Sequence, residues 1–392
     1  MASGAVGGHR AYLDHAATTP MRPEAIEAML PYLAGRFGNP SGGHRESRQA
    51  RLAVDDARAH IASCLGADFG ELVFTASGTE ADNLAVTGAW EALSSQPTPP
   101  RALVCSAMEH HAVLHTCRAL ADRTGAELRE VRPDKDGIID LDELAGACTT
   151  EVGVVSVMAV NNEVGTVQPF DAVASVVRAG SARAVLHTDA VQAVPWLDTR
   201  PLVAAADLVT VSAHKFGGPK GVGALVVREG TGLRPVIHGG GQERERRSGT
   251  HNVAGIVAMA AALSVTDSDR PAVVARVGVL RDRLGNGLLA EVTGSTESGR
   301  REDKVAGHLH LRFAGVESEA LVVLLDEVGV AVSAGAACSS GAVDISHVLT
   351  SMGLAREQAG SGIRFSLGVT TTEADIDHAL AVVPGAVGQL RD

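Results

Sequence analysis

Lys215 follows a histidine where a short apolar run, residues 208–211, gives way to a glycine-rich turn, SAHKFGGPKG at residues 212–221. An amine at such a junction, among small residues, is placed to form a Schiff base with a carbonyl cofactor. A solvated loop lysine would have the same surroundings. Two of the four lysines of the chain, Lys215 and Lys220, lie in this one turn. Ser77, Gly78 and Thr79 end another apolar run and open a helical pattern. Free backbone N–H groups and a hydroxyl there suit a phosphate, and a Thr79 helix cap with Asp82 at its third position uses the same residues. Asp189 closes a third run, with Gln192 three residues on. A buried carboxylate at that point could pair with a protonated pyridine nitrogen and keep the ring an electron sink, or it could cap a helix.

Three histidines, His110, His111 and His115, fall within six residues. His111 and His115 are one helical turn apart, but no acidic, His or Cys partner stands at a usable spacing, so no metal is expected. A single histidine, His110, able to stack on a ring and shuttle protons, suits the pattern better. Cys338 lies in AGAACSSG, a stretch of small residues expected to be mobile. A free cysteine is usually a small buried hydrophobe, but without bulky neighbours it reads as an exposed nucleophile. Arg364 stands inside an apolar strand pattern, GIRFSLG, where a guanidinium needs a partner; a substrate carboxylate is a natural bidentate one. HGGG at residues 238–241 is not an esterase oxyanion loop, because the chain has no GxSxG. It also lacks the phosphate-binding GxxxxGK[ST].

These side chains need elements to hold them. Apolar runs at residues 72–75, 102–106, 152–160, 185–188 and 208–211 alternate with helical patterns at 48–65, 79–93, 110–123, 141–147 and 170–179. The alternation predicts an α/β fold with a mainly parallel sheet covered by helices, whose ligands bind at the carboxyl ends of the strands. The polar clusters SGTEADN, EHH, NNE, DAVQ and SAHK each follow one of the five runs, which predicts one shared site. After about Gly255 the pattern changes. Helical stretches at 272–292, 317–328 and 373–387 flank short strands at 308–313, 330–333 and 363–367, a smaller α+β C-terminal domain entered through a polar linker near residues 267–270.

The chain has 392 residues, 45% of them hydrophobic and 20% charged, as an ordinary globular protein of two domains would. A formal charge of −12 opposes binding to nucleic acid or anionic membranes, and 3% aromatics supply few stacking platforms. The five cysteines, Cys64, Cys105, Cys117, Cys148 and Cys338, are scattered and contain no CxxC, which suits reduced thiols rather than disulfides or zinc. No signal peptide and no membrane-spanning run is read from the sequence, so a cytoplasmic protein is expected.

The motifs together resemble the pyridoxal-phosphate-dependent cysteine desulfurases of the NifS/IscS kind, within the class V aminotransferases. The matching stretches run in family order: YLDHAATTP (12–20), FGNPS (37–41), GTEADNLA (78–85), EHHAVL (109–114), NNEVG (161–165), HTDAVQ (187–192), SAHKFGGPKGVGAL (212–225), GGGQERERRSGT (239–250), AACSSG (336–341) and IRFSLG (363–368). The resemblance implies a fold-type-I homodimer with a seven-stranded sheet. Its large cofactor-binding domain would span residues 15–262, with residues 1–14 and 263–392 forming the small domain. The active site would lie between the two and be completed by the partner subunit. Lys215 would hold pyridoxal phosphate as a Schiff base, Asp189 would pair with the ring nitrogen, Gln192 would bond the ring hydroxyl, and His110 would stack and act as acid and base. Gly78, Thr79, Ser212 and His214 would hold the phosphate, with Thr250 reaching in from the other subunit. Arg364, with Asn162 and Asn39, would bind the substrate carboxylate. The Cys338 thiolate would take the sulfur of L-cysteine as a persulfide, leaving L-alanine, and pass it to an acceptor protein for iron–sulfur clusters or thio-modified tRNA and cofactors.

The 26-residue spacing of Cys338 and Arg364 resembles the long-loop, IscS-like group. AGAAC stands where SGSAC is usual, and Ser47 stands where glycine is usual, which could alter the loop after Asn39. The chain stops at Asp392, without the extension that docks an iron–sulfur scaffold in some relatives, which leaves the acceptor open. Desulfurases dedicated to DNA phosphorothioation or to sulfur-containing natural products share these motifs, as do selenocysteine lyases and cysteine-sulfinate desulfinases. A non-catalytic binding homologue would not need Lys215, Asp189, His110, Cys338 and Arg364 intact.

Overall fold

The computed structural model describes residues 9–335 and 345–392. In chain order its strands are β1 (Ala11–Tyr12), β2 (Leu72–Thr75), β3 (Ala102–Ser106), β4 (Glu127–Val131), β5 (Val152–Ser156), β6 (Val185–Asp189), β7 (Leu208–Ser212), β8 (Gly223–Val227), β9 (Ser295–Glu297), β10 (His308–Phe313), β11 (Val330–Ala331) and β12 (Gly362–Ser366). Seven of them form the large sheet in the order β2-β8-β7-β6-β5-β3-β4. The ladders β3–β4, β3–β5, β5–β6 and β6–β7 are parallel, while β8 runs antiparallel to both β7 and β2. Six strands therefore end at one edge, and five of those ends carry the polar clusters.

The central strands are buried along their whole length because helices cover both faces, so they read as continuous apolar runs. β4 and β8 were not expected. The edge strand β4 is half-exposed and mixes Glu127, Arg129 and Glu130 with Leu128 and Val131, so it offers no clean run. β8 begins in the glycine-rich turn after Lys215. The run at 152–160 ends as a strand at Ser156, and Val160 forms only an isolated bridge to Val167.

The small sheet, β12-β10-β9, is antiparallel, and β1 pairs with β11 beside it. Asp14 bridges to Ser366 and Ser333 to Arg364, so the N-terminal segment is woven into this second layer. The expected linker near residues 267–270 is instead the middle of one helix, Val253–Glu291. Its polar residues are satisfied in place: Arg270 pairs with Asp267 at 2.7 Å and donates to the Val194 carbonyl, and the Thr266 hydroxyl donates to the Phe216 carbonyl. These contacts fix the helix against the large sheet. The helix Pro23–Leu33, also unexpected, packs against it.

Candidate active site

A cavity of about 430 Å³ opens at the carboxyl edge of the large sheet and is closed on the other side by Ser333, Gly335 and Arg364. Lys215 stands in a single helical turn directly after β7. Its amine donates to the carbonyls of Ala16 and Ala17 at 2.6 and 2.9 Å. Burial, helped by the Arg364 charge and opposed by Asp189 and Asp14, lowers its pKa to about 8. A fraction of the amine is therefore neutral near pH 7, as a nucleophile toward a carbonyl requires. Gln192 donates to the same Ala16 carbonyl at 2.9 Å, tying the turn after β6 to the N-terminal segment.

Asp189 ends β6, and one carboxylate oxygen accepts the Val191 N–H at 2.8 Å. Burial, reinforced by the neighbouring Asp82 carboxyl, raises its pKa to about 7. Such a carboxyl gains strongly from a cation placed against it. His110 caps the helix His111–Thr124, its Nδ1 accepting the Ala112 N–H at 3.1 Å, so the neutral ring carries its proton on Nε2. The ring is open to the cavity but closely surrounded by protein. Burial, with the Lys215 charge adding to it, lowers its pKa to about 4 and keeps it neutral.

Arg364 on β12 donates to Asp14 Oδ1 at 2.7 Å and to the Asn162 carbonyl at 2.9 Å, leaving Nε buried without a partner. Asn162 thus serves through its backbone as well as lining the cavity. Glu163, the next residue, accepts the Ser346 hydroxyl at 2.5 Å and approaches Gly335, where a Cβ would come within 3.0 Å of its carboxylate. Gly165 closes this turn with φ of +82°, and a Cβ there would overlap His308, so only glycine fits.

Gly78 opens the helix Gly78–Ser94 against the cavity, and a Cβ on it would press on Val191 and Ser212 at 3.1 and 3.3 Å. The bare backbone leaves room for an anion at the helix N-terminus, beside Thr79, Ser212 and His214. The helix cap is Ser77, not Thr79: Ser77 accepts the Glu80 N–H, and Glu80 reaches back to the Ala76 N–H. Asp82 consequently points into the protein, 1% exposed, with Oδ1 unpartnered. These groups fit pyridoxal phosphate: an amine for the aldehyde, a carboxyl for the ring nitrogen, and an amide-lined cradle for the phosphate.

The class-V aminotransferase family model matches residues 11–379. The chain is 44% identical to an IscS-like cysteine desulfurase of Mycobacterium tuberculosis, covering 97% of each chain. It is 40% identical to the cysteine desulfurase IscS of Dictyoglomus turgidum, over 97% of this chain and 95% of that one. A solved NifS-like protein superposes with a TM-score of 0.90 at 33% identity, over 97% of this chain and all of the other. The chain belongs to the class-V aminotransferases, among the cysteine desulfurases of the IscS and NifS kind.

In this desulfurase, Gly78, Thr79, His110, Asn162, Asp189, Gln192, Ser212, His214, Lys215 and Arg364 all line the one cavity. Asn39 and Thr250 do not; both are exposed, and Asn39 turns its side chain to the Ser41 N–H. Cys338 lies outside the described residues, as do Ala336 and Ala337 before it; of the AGAAC stretch only Ala334 and Gly335 are described. Ser47 is buried with its hydroxyl on the His44 ring, 3.1 Å from Nε2, so the departure from glycine is absorbed inside the start of the helix Arg45–Leu65. His111 and His115 stack on each other, and His347 packs on His111. Lys220 is exposed on the loop. Sequence reasoning missed Asp14, the carbonyls of Ala16 and Ala17, Glu109 and the buried role of Asp82. Asp14 and Asp82 lie inside the YLDHAATTP and GTEADNLA motifs, but nothing local told a buried carboxyl there from a cap.

Proposed function

We propose that the cavity holds pyridoxal phosphate on Lys215 and that the desulfurase converts L-cysteine to L-alanine, its sulfur passing to Cys338 as a persulfide. The observation that carries this reading is the meeting of a partly neutral Lys215 amine, the Asp189 carboxyl, the open N-terminus of Gly78–Ser94 and the Arg364 guanidinium in one cavity. Bound pyridoxal phosphate would supply an aldehyde that condenses with amines and a ring that takes up electrons released at the substrate Cα.

The residues then have separate tasks. Asp189 holds the ring nitrogen, and Gly78, Thr79, Ser212 and His214 hold the phosphate. Arg364, with Asn162, receives the substrate carboxylate and so orients the Cα–H bond. Lys215 and His110, the latter through Nε2, would move protons at Cα and at the leaving sulfur. The Cys338 thiolate attacks that sulfur: a new S–S bond forms, the substrate C–S bond breaks, and a proton delivered to the former Cβ completes L-alanine. Replacing Cys338 by serine should leave the spectral change on adding cysteine intact and abolish alanine release. Undiminished alanine release would remove the persulfide step and favour a selenocysteine lyase or cysteine-sulfinate desulfinase reading.

Asn39 and Thr250 are proposed to complete the cavity of a second subunit in a homodimer. Supporting this, Ile26, Leu30, Leu33 and Phe37 before Asn39, and Val236 and Ile237 before Thr250, are exposed apolar residues. We assign residues 15–262 to the cofactor-binding domain, and residues 1–14 and 263–392 to the small one. No described helix is long and apolar enough to cross a membrane. The free thiols of Cys64, Cys105, Cys117 and Cys148 support a cytoplasmic setting. The acceptor is proposed to be a protein that carries sulfur toward iron–sulfur clusters or thio-modified tRNA and cofactors; trapping it on persulfidated Cys338 would separate this from a dedicated pathway.

A further inference from the structure

Two carboxyls, Asp82 and Asp189, line the cavity, and a third, Glu109, is buried close enough to feel both. Asp82, Glu109 and Asp189 are 1%, 0% and 5% exposed; Asp82 raises the pKa of Asp189, and both of them raise that of Glu109. The nearby cations cannot neutralise all three, since Arg364 is paired with Asp14 and the Lys215 amine is committed to carbonyls. Three buried anions without matching cations would be prohibitively costly, so at least two of the carboxyls must hold protons. Asp189 faces the cavity and receives a backbone N–H. Glu109 accepts the Met158 N–H at 2.7 Å through Oε1, with Oε2 unpartnered.

Asp82 differs from both because its surroundings are other side chains. Its Oδ1 lies 3.5 Å from His187 Nε2 and has no other partner, while the Thr210 hydroxyl, 3.1 Å from the same nitrogen, also bonds Asp82. His187 Nδ1 meets the Ser156 hydroxyl at 2.8 Å. His187 and Asp189 are two residues apart on β6, and Thr210 is opposite Asp189 on β7, so this chain of contacts lies directly beneath Asp189. A proton on Asp82 Oδ1 turns an orphaned acceptor into a donor toward Nε2 of a neutral imidazole, with Nδ1–H donating to Ser156.

We propose that Asp82 is a positioning residue: held as a neutral acid, it braces His187 and Thr210 beneath Asp189 and leaves Asp189 the ionised carboxylate facing the ring nitrogen. Burial, which raises Asp82 to about 8 and holds His187 near about 4, agrees with that assignment. The role rests on the reading that the cavity takes pyridoxal phosphate, but the proton on Asp82 does not.

Two measurements on the full chain test it. Infrared difference spectra of the cofactor-free protein at neutral pH, wild type minus Asp82→Asn, should show the carbonyl stretch of a buried carboxylic acid; its absence would overturn the proposal whether or not cofactor binds. In protein incubated with pyridoxal phosphate, Asp82→Asn should keep the wild-type pH midpoint of the visible band and a cofactor affinity within about twofold, whereas Asp82→Ala should weaken affinity about tenfold and displace the midpoint. An Asn variant displaced as far as the Ala variant would mean Asp82 is charged, and two unmoved variants would mean it braces nothing. If Asp82→Ala does not fold, Thr210→Val breaks the same bridge from the other end and should displace the midpoint likewise. A wild type that shows no visible band would defeat the cofactor reading alone.

Discussion

The two walls of the cavity handle charge in opposite ways. On the large-sheet wall burial works against charge at Asp82, Glu109, Asp189, His110 and His187: the acids are pushed up and the imidazoles down. On the small-sheet wall, the Arg364 guanidinium, a group that does not give up its charge in proteins, is paired with Asp14 and the Asn162 carbonyl. Neutral groups at the sheet edge can take up and release protons, and a fixed cation opposite can only bind and orient. Under the proposed function the difference would separate proton chemistry from substrate recognition, and Lys215 stands between the two walls, feeling both Asp189 and Arg364.

That contrast can be broken most directly at Lys215. Lys215→Ala should lose the visible band of the bound cofactor and depress alanine formation by about 10⁴-fold; a residual rate within about tenfold of wild type would place the reactive amine elsewhere. Arg364→Ala should act on recognition instead. It removes a charge-assisted partner of the substrate carboxylate and leaves Asp14 unpaired, raising KM for cysteine by about 10–100-fold with a smaller effect on kcat. Arg364→Lys should recover only part of that loss, because an ammonium cannot reproduce the fork of contacts to Asp14, Asn162 and a ligand. A fall in kcat with KM unchanged would blur the division between the walls.

The smallest expected effect is on stability. Asp82 and Asp189 titrate at about 8 and about 7 in the folded protein against 3.8 for the free side chain, so the folded state holds more protons than the unfolded one in between. Stability from these two groups is fully present below 3.8 and is lost as pH rises through 7 and 8. The imidazoles with lowered pKa act in reverse, but only below 6.5, where the unfolded chain takes up protons that His110 and His187 refuse. Between about pH 6.5 and 8 the melting temperature of the cofactor-free protein should therefore fall as pH rises, and Asp82→Asn should flatten that slope. A slope unchanged in the variant would show that the large-sheet wall is not charge-suppressed at Asp82.

Much of this was legible from residue order. The strands β2, β3, β5, β6 and β7 are apolar because they are buried on both faces, and such runs announce themselves without any partner being known. The ends of those runs carried Thr79, His110, Asn162, Asp189 and Lys215, and a parallel sheet must place such ends along one edge. The half-exposed edge strand β4 had no such signature. The helix Val253–Glu291 hid behind Asp267 and Arg270, whose polarity suggested a linker because their ion pair and the Val194 carbonyl lie outside any local window.

The sequence by itself determined the class of fold and the family, and it singled out side chains that the cavity gathers, since all three rest on local pattern. Only the tertiary structure decided their charge states. Asp82, Glu109 and Asp189 have the same kind of side chain as the exposed carboxylates, and by sequence Asp82 could have stood at the third position of a helix capped by Thr79, where Ser77 is the cap instead. What made it a buried acid is its approach to His187 and Thr210 on β6 and β7, more than a hundred residues away. Burial and charge coupling depend on distance in space, and that is settled only when helix packs on sheet.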